Sequence, residues 1–225
     1  MKRMLLISLI LIAGCSKEIN TTTAVSVSDN TVSDATAATN TYLPLTTGTN
    51  WYYTNKTGSV TEESKLTVLN LKKTFNGKAY TAVNTVKDGK KDTIYYNQTA
   101  HNYYIYTNEE TGESDAVKLE ILFLNDNLDA GKTWRQSAGT ASGVKLNCYG
   151  KIVQKNMTLT VNGETYGNVI HSYVEIRKPF LFTYIVVYTQ DYYVAKNIGI
   201  IKNISRQVLP SGSATTTGIT SYSIK

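Results

Sequence analysis

The chain of 225 residues carries 23 Lys and Arg and 17 Asp and Glu, which gives a formal net charge of +6. Because these cations form no dense run, the composition indicates solubility and does not predict a nucleic-acid partner. Two histidines and two cysteines are too few for a metal site of the Cys or Cys/His type.

Residues 1–14 have the layout of a secretory signal. Lys2 and Arg3 precede an apolar run that is shorter than the roughly 20 residues of a membrane-spanning helix. The ending Ile12-Ala13-Gly14-Cys15 resembles the lipobox of bacterial lipoproteins. The resemblance implies cleavage before Cys15, diacylation of its thiol and acylation of the new amino terminus.

Lipidation of Cys15 predicts a membrane partner and a place in the cell envelope, because two or three acyl chains hold a protein stably in a bilayer. We expect the outer membrane and leave its periplasmic or outer face open. Once Cys15 is acylated, Cys148 has no partner for a disulfide within the chain. We expect Cys148 to pack as a small apolar side chain.

The chain after the anchor divides into two parts. Residues 15–41 comprise the lipidated cysteine and a segment rich in Ser, Thr, Ala and Asn without aromatic residues. Such a composition buries too little apolar surface to fold, so it predicts a flexible tether. Residues 42–225 are dense in Val, Ile, Thr and Tyr and predict a single β domain that is large enough to bury a core.

The pattern of the body predicts an all-β fold. Val117, Leu119, Ile121 and Phe123 alternate along one strand face. Three pairs predict two-residue hairpins because both turn positions need a positive φ; these are Asn76-Gly77, Asp88-Gly89 and Asn162-Gly163. Short connections imply antiparallel pairing. We expect a single antiparallel, strongly curved sheet, half-barrel or barrel-like, with a β-sandwich as the alternative.

One strand changes its face. Leu146, Cys148 and Ile152 share one parity, whereas Met157, Leu159 and Val161 share the other. A slip of one residue exchanges the two faces of a strand, so we expect a bulge between Val153 and Asn156. Gly150 is a candidate contributor to it.

The body also shows signs of an internal duplication, with pseudo-repeats at about 42–126 and 127–205. Three landmarks recur in the same order, and chance matching of turn and aromatic residues is the alternative. The pairs are Leu45-x-x-Gly48-x-x-Trp51 with Leu128-x-x-Gly131-x-x-Trp134, Asn76-Gly77-x-x-Tyr80 with Asn162-Gly163-x-x-Tyr166, and Tyr103-Tyr104 with Tyr192-Tyr193.

A family resemblance follows from these motifs. The opening Tyr42-x-Pro44-Leu45-x-x-Gly48-x-x-Trp51-x-Tyr53, the second Gly131-x-x-Trp134 and the closing Gly199-Ile200-Ile201-Lys202 resemble uncharacterised Bacteroidetes-type envelope lipoproteins. The resemblance covers about residues 42–205. It implies a curved antiparallel sheet, half-barrel-like, and it carries over no catalytic residue.

Seventeen tyrosines are the main indication of a binding surface. Where two tyrosines are adjacent in one strand, one of them points away from the core. Exposed aromatic rings could stack on sugars or line an acyl groove, although tyrosine also suits half-buried strand positions. The candidate ligand contacts are Tyr96, Tyr104, Tyr184, Tyr188 and Tyr193. Separately, Asp92-Thr93-Ile94 matches a short O-glycosylation acceptor pattern at Thr93.

Catalytic and metal sites have weaker support. His101 or His171 would need a nucleophile and a carboxylate such as Glu175 or Asp191 nearby. The four carboxylates of Glu109-Glu110-x-x-Glu113-x-Asp115 could bind calcium, but they lack the alternating ligands of a calcium loop and indicate a solvated hairpin tip instead. We predict no catalytic residue, no metal and no cofactor.

Three functions therefore stay open. The first is a non-enzymatic envelope lipoprotein that binds a glycan, a lipid or a protein partner. The second is a lipoprotein of envelope assembly or acyl-chain handling, suggested by the apolar run Phe180–Tyr188. The third is an unrecognised hydrolase, which requires a histidine within about 3.2 Å of a carboxylate in a cleft.

Overall fold

The structure, a computed structural model, describes residues 40–109 and 117–225. The signal, Cys15, the tether up to residue 39 and most of the acidic cluster, with Glu110, Glu113 and Asp115, lie outside these residues. Twelve strands make up the described chain. They are β1 (Asn50–Thr57), β2 (Val60–Phe75), β3 (Lys78–Lys87), β4 (Lys90–Thr99), β5 (Asn102–Glu109), β6 (Val117–Asn125), β7 (Thr133–Ala141), β8 (Val144–Val161), β9 (Glu164–Phe180), β10 (Thr183–Ala195), β11 (Gly199–Gln207) and β12 (Ala214–Ser223).

The twelve strands form one closed antiparallel barrel. Each strand pairs with the next along the chain, and β12 returns to pair with β1. The closing ladder runs from Asn50 opposite Ser223 to Thr57 opposite Thr215. The prediction of a single, strongly curved antiparallel sheet is confirmed, in its barrel form and not as a sandwich. Within the described residues, no helix is long and apolar enough to cross a membrane.

The three predicted hairpins are present. Asn76, Asp88 and Asn162 each have a φ of 49°, and the glycine after each also has a positive φ. These turns connect β2 to β3, β3 to β4 and β8 to β9. Short sequence signals therefore fixed three of the strand connections because few residue types adopt two successive left-handed positions.

The core fills the interior of the barrel. The alternating residues Val117, Leu119, Ile121 and Phe123 are all buried, with at most 4% of their surface exposed. Cys148 is a free, buried cysteine, as expected. Burial raises the pKa of its thiol to about 12, so Cys148 behaves as an apolar side chain.

Strand β8 changes its register where the sequence predicts it. Register shifts occur between Ile152 and Leu159, and Asn156 has a φ of 54°. The suggestion that Gly150 contributes to this bulge is wrong. A Cβ on Gly150 would lie 2.0 Å from a ring atom of Trp134, so this glycine makes room for an indole on the neighbouring strand.

The junction between β6 and β7 depends on side chains. Their ladder contains only three residue pairs, from Val117 opposite Ala141 to Leu119 opposite Gly139. Beyond it, the Trp134 Nε1 donates to the Leu122 carbonyl at 3.1 Å and the Gln136 amide donates to the Glu120 carbonyl at 3.1 Å. These bonds satisfy carbonyls that would otherwise lack strand partners.

The internal duplication stays a prediction, and its landmarks occupy the following places in the barrel. Gly48 and Gly131 have φ angles of 86° and 84°, and their amides donate to the carbonyls of Val68 and Ile152. These glycines precede β1 and β7, the first strands of two six-strand runs. The third landmark does not follow this correspondence, because Tyr103-Tyr104 lies in β5 and Tyr192-Tyr193 lies in β10.

The chain enters at one end of the barrel, here called the N-terminal end. The Asn197 amide, in the connection from β10 to β11, donates to the Thr41 carbonyl at 2.6 Å. Leu43 is 3% exposed at this end. The opposite end, here called the far end, carries the turns after β1, β3, β7, β9 and β11.

We expect Gly150→Ala to lower the free energy of unfolding by about 3 kcal/mol, the upper end of the usual cost of overpacking, because the new methyl group overlaps the Trp134 ring. Urea denaturation measures this change. Gly167→Ala in β9 is the matched control, since a Cβ there meets no atom within 4 Å. An equal loss in both variants would contradict this explanation of Gly150.

Candidate ligand-binding face

The five tyrosines predicted to contact a ligand lie in three different environments. Tyr96 and Tyr188 belong to the barrel core, with 3% and 6% of their surface exposed. Tyr104 is buried in a second cluster on the outer surface. Tyr184 is 40% exposed and Tyr193 is half-buried. Ligand contact by any of the five stays a prediction, and only the last two expose a substantial part of their surface.

The adjacent tyrosines divide between the two faces as strand geometry requires. Tyr96, Tyr103 and Tyr192 pack inside the barrel. Their neighbours Tyr95 and Tyr104 pack outside. An interior cavity between Tyr53, Asn55 and Tyr96 measures about 10 Å³, which is room for about one water molecule.

The outer aromatic cluster is a covered surface. Phe75, near the tip of the hairpin from β2 to β3, stacks on Tyr106 with 4.1 Å between ring centres. Phe75 also meets the edges of Tyr80 and Tyr95. The Lys78 ammonium lies 4.0 Å above the Tyr104 ring and 2.8 Å from the Glu120 carboxylate. The hairpin and this ion pair therefore close the outer wall formed by β3 to β6.

The wall formed by β7 to β10 has an open stack of cations and aromatic rings. The Arg177 guanidinium lies 4.1 Å from the Tyr149 ring centre, and the Arg135 guanidinium lies 5.0 Å from the same ring. Arg135 also lies 5.5 Å from the Tyr184 ring centre. We call these four residues, Arg135, Tyr149, Arg177 and Tyr184, the cation–aromatic stack. Its two rings come from different strands and hold the guanidinium groups in place.

The carboxylate of Glu175 orients Arg177, one of the two cations of the stack. Arg177 Nε donates to Glu175 Oε2 at 2.7 Å, and the Tyr173 hydroxyl donates to Glu175 Oε1 at 3.1 Å. Burial, together with the negative charge of Glu175, raises the pKa of Tyr173 to about 12, so its hydroxyl stays protonated as a donor. Arg135 is exposed and forms no ion pair with any described residue.

His171 lies on the same wall. Its Nε2 is 2.7 Å from Asp191 Oδ1, and its ring stacks on Tyr193 with 4.3 Å between centres. The Lys202 ammonium lies 5.5 Å from the Tyr193 ring centre. Burial and the Asp191 charge raise the pKa of Tyr193. This group continues the polar and aromatic surface from β9 to β11.

His101 lies at the N-terminal end of the barrel. Its Nδ1 is 2.6 Å from Asp126 Oδ1, and the Tyr103 hydroxyl donates to Asp126 Oδ2 at 2.8 Å. Both histidines thus have the carboxylate that a hydrolase would need. In the part of the chain that the structure describes, however, no serine, threonine or cysteine side chain bonds to either imidazole. The described residues also contain no cluster of three potential metal ligands.

A polar groove lies beside the point where the chain enters. It measures about 500 Å³ and is bordered by Thr41, Lys72, Thr81, Tyr96 and Gln98. The Thr41 hydroxyl donates to Gln98 Oε1 at 2.7 Å. Thr93, the predicted O-glycosylation site, is half-buried in β4, and its amide donates to Asp92 Oδ1 at 2.7 Å. Its modification stays a prediction.

Charge is unequally distributed around the barrel. Residues 130–225, which include β7 to β12, contain eleven Lys and Arg but only Glu164, Glu175 and Asp191 as acids. Residues 40–129 contain nine basic and eleven acidic residues. Because β7 to β12 are consecutive in the barrel, one continuous wall has a large positive excess, and it carries the cation–aromatic stack.

Comparisons with known proteins identify the fold but no activity. No family model and no curated protein match the chain. A candidate lipoprotein of Parabacteroides distasonis ATCC 8503 superposes with a TM-score of 0.51 at 11% identity, over 82% of this chain and 99% of that one. A candidate exported protein of Bacteroides fragilis NCTC 9343, described as having a YmcC-like fold, has a TM-score of 0.48 at the same identity and coverage. At 11% identity, the likeness to the Parabacteroides protein shows a shared fold alone.

Sequence reasoning missed Arg135, Tyr149 and Arg177. The overall charge concealed the difference between the two halves, which a comparison of acidic residues before and after residue 130 would have shown. The contacts between Arg135, Tyr149 and Tyr184 cross three strands, so spacing along the chain gives no sign of them.

Proposed function

We propose that this chain is a lipid-anchored envelope protein that acts by binding and not by catalysis. Its proposed ligand is an acidic glycan, and its proposed binding surface is the outer wall from β7 to β10. The observation that carries this proposal is the cation–aromatic stack, in which Arg135 and Arg177 flank Tyr149 at 5.0 and 4.1 Å.

The chemistry of the wall suits an acidic sugar polymer. A guanidinium presents paired N–H donors that match a carboxylate or a phosphate. A tyrosine ring offers an apolar face for the C–H side of a sugar ring and a hydroxyl for a hydrogen bond. The positive excess of residues 130–225 attracts anions before contact is made. Tyr184 and Tyr193 keep their predicted contact role on this surface. Tyr96 and Tyr188 are buried in the barrel core, and Tyr104 belongs to the outer cluster of β3 to β6.

The proposed ligand can be tested with polygalacturonate, a carboxylate-bearing glycan, and with dextran as a neutral comparison. We expect the full chain to bind polygalacturonate preferentially and the double variant Arg135→Gln/Arg177→Gln to bind it about 10-fold more weakly, as expected for the loss of two cation contacts. Calorimetric titration at about 0.15 M salt measures both affinities, because the Debye length is then only about 8 Å and distant charges are screened.

The double variant Lys90→Gln/Lys91→Gln is the matched control, since it removes two positive charges from the opposite wall. Its affinity should stay within about 2-fold of the parent, because distant exposed charges contribute little. Equal losses in the two double variants would overturn the assignment of the site to the cation–aromatic stack.

The anchor is a separate part of the proposal. We expect Cys15→Ala to move the protein from the detergent-rich phase to the aqueous phase of a Triton X-114 separation, because the acyl chains supply the membrane affinity. Immunoblotting of the two phases is the measurement. Equal partitioning of the parent and the variant would contradict lipidation of Cys15 and would leave the glycan proposal unaffected.

Envelope assembly or acyl-chain handling is the second candidate function. The run Phe180–Tyr188 that suggests it is exposed in its first part, where Phe180, Leu181, Phe182 and Tyr184 lie at the surface. The interior cavity between Tyr53, Asn55 and Tyr96 measures about 10 Å³ and is too small for an acyl chain. In this second candidate function, the acyl ligand contacts the exposed part of the run.

A further inference from the structure

The turn between β9 and β10 exposes three consecutive large apolar side chains. Phe180, Leu181 and Phe182 are 51%, 83% and 104% exposed. Leu181 also adopts a φ of 51°, an unusual conformation for a branched side chain. A solvated turn would favour Gly, Asn or Asp here, so the apolar residues indicate a role in contact with another surface.

The residues behind the tip follow an order of polarity. Tyr184 comes next along β10 and is 40% exposed. Lys178 and Arg177 follow along β9, and the exposed Lys145 is the second residue of the neighbouring strand β8. No acidic residue occurs between Glu175 and Asp191, and Glu175 is already paired with Arg177. Apolar residues, tyrosine and then cations succeed one another at increasing distance from the tip.

We propose that this hairpin tip inserts into the surface of a bilayer that contains anionic lipids. The order of polarity matches the layers of a membrane surface. From the inside outward, these layers are the acyl chains, an interfacial region favoured by tyrosine, and the anionic headgroups favoured by Lys and Arg. Insertion to the 5–10 Å typical of interfacial segments would cover the three apolar side chains.

The shape of the tip favours a bilayer over a protein partner. A stable protein interface covers about 800 Å² on each partner, whereas the apolar part of this tip consists of three residues at a convex turn. A fluid bilayer surrounds a convex projection on every side. The nearby cations complement anionic headgroups without requiring a shaped partner.

The hairpin tip lies at the far end of the barrel, whereas the chain that leads to the proposed lipid anchor enters at the N-terminal end. The chain enters beside Asn197, at the end of β10 that is remote from the tip. The 13 residues of β10 span about 43 Å. Residues 16–41 can extend to at most about 90 Å, so their length permits the anchor and the tip to reach the same membrane. A weak contact by the tip is favoured once the anchor holds the protein at the same membrane, because the effective concentration of the tip at the bilayer is then high.

A depth measurement tests this inference with the full chain. Phe182→Trp places a fluorophore at the tip, and Leu71→Trp places one in β2 near the N-terminal end, where Leu71 is 46% exposed. Both variants, and the parent with its Trp51 and Trp134, are mixed with vesicles of phosphatidylcholine and phosphatidylglycerol whose acyl chains are brominated. Bromine quenches only tryptophans that reach the acyl region.

The emission that Phe182→Trp adds to that of the parent is the signal of the new tryptophan. We expect the brominated vesicles to lower this added emission by at least about half, because the tip reaches the acyl region. We expect a smaller decrease when phosphatidylglycerol is omitted, because the cations near the tip then lose their anionic partners. The parent and Leu71→Trp should change little. Absence of quenching at position 182, or equal quenching at position 71, would overturn the inference. A blue shift at position 182 that depends on protein concentration without vesicles would also overturn it, because it would indicate a second copy as the partner.

This result is independent of the anchor. Repeating the measurement with Cys15→Ala in the Phe182→Trp chain removes the proposed lipid and keeps the tip. Quenching that persists in this variant supports insertion by the tip itself, whereas quenching lost together with the lipid would contradict an intrinsic membrane affinity of the hairpin.

Discussion

The pairing of β12 with β1 is the constraint on which the rest of the structure depends. It converts the twelve described strands into a cylinder in which every strand has a neighbour on both sides, so none of them is an edge strand open to pairing with another chain. Side chains reinforce this closure. The Trp51 Nε1 donates to the Ile198 carbonyl at 2.6 Å, the Tyr53 hydroxyl donates to the Ile200 carbonyl at 2.8 Å, and the Thr217 hydroxyl donates to Asn55 Oδ1 at 2.8 Å. Closure separates an interior that is filled from an exterior that can bind.

A filled interior places the accessible chemistry on the outer walls, and these walls differ. The hairpin between β2 and β3 covers the aromatic residues of β3 to β6 through Phe75. Among the residues that the structure describes, no hairpin covers the cation–aromatic stack on the wall from β7 to β10, and this wall belongs to the half of the chain with few acids. The proposed glycan surface and the proposed membrane contact both belong to this wall because tyrosine, cations and the apolar tip share β9 and β10.

The sequence predicted those features that depend on neighbouring residues. Asn-Gly and Asp-Gly pairs located three turns, and alternation located the buried face of β6. The change of parity in β8 located its bulge. Full closure could not be distinguished from a half-barrel, because the contact of β1 with β12 joins residues more than 150 positions apart. Gly150 was misinterpreted for the same reason, since its partner Trp134 is identified only by strand register.

The candidate site was predicted less well than the fold. Tyrosines in a strand can be assigned to opposite faces from the sequence, but the sequence does not show which outward face another hairpin covers. Tyr104 was therefore placed in the same group as Tyr184, although the former is 8% and the latter 40% exposed. The ligand-contact role of these residues and the lipidation of Cys15 stay proposals.

Native-state hydrogen exchange of the β1 and β12 amides tests the closed barrel most directly, since exchange follows local opening. If the barrel is closed, the paired amides between Trp51 and Thr57 and those between Thr215 and Ile219 should exchange as slowly as the paired amides of β8 and β9. Exchange in β1 and β12 that is faster by orders of magnitude, as in exposed edge strands, would contradict the closure and would make the interior face available for binding.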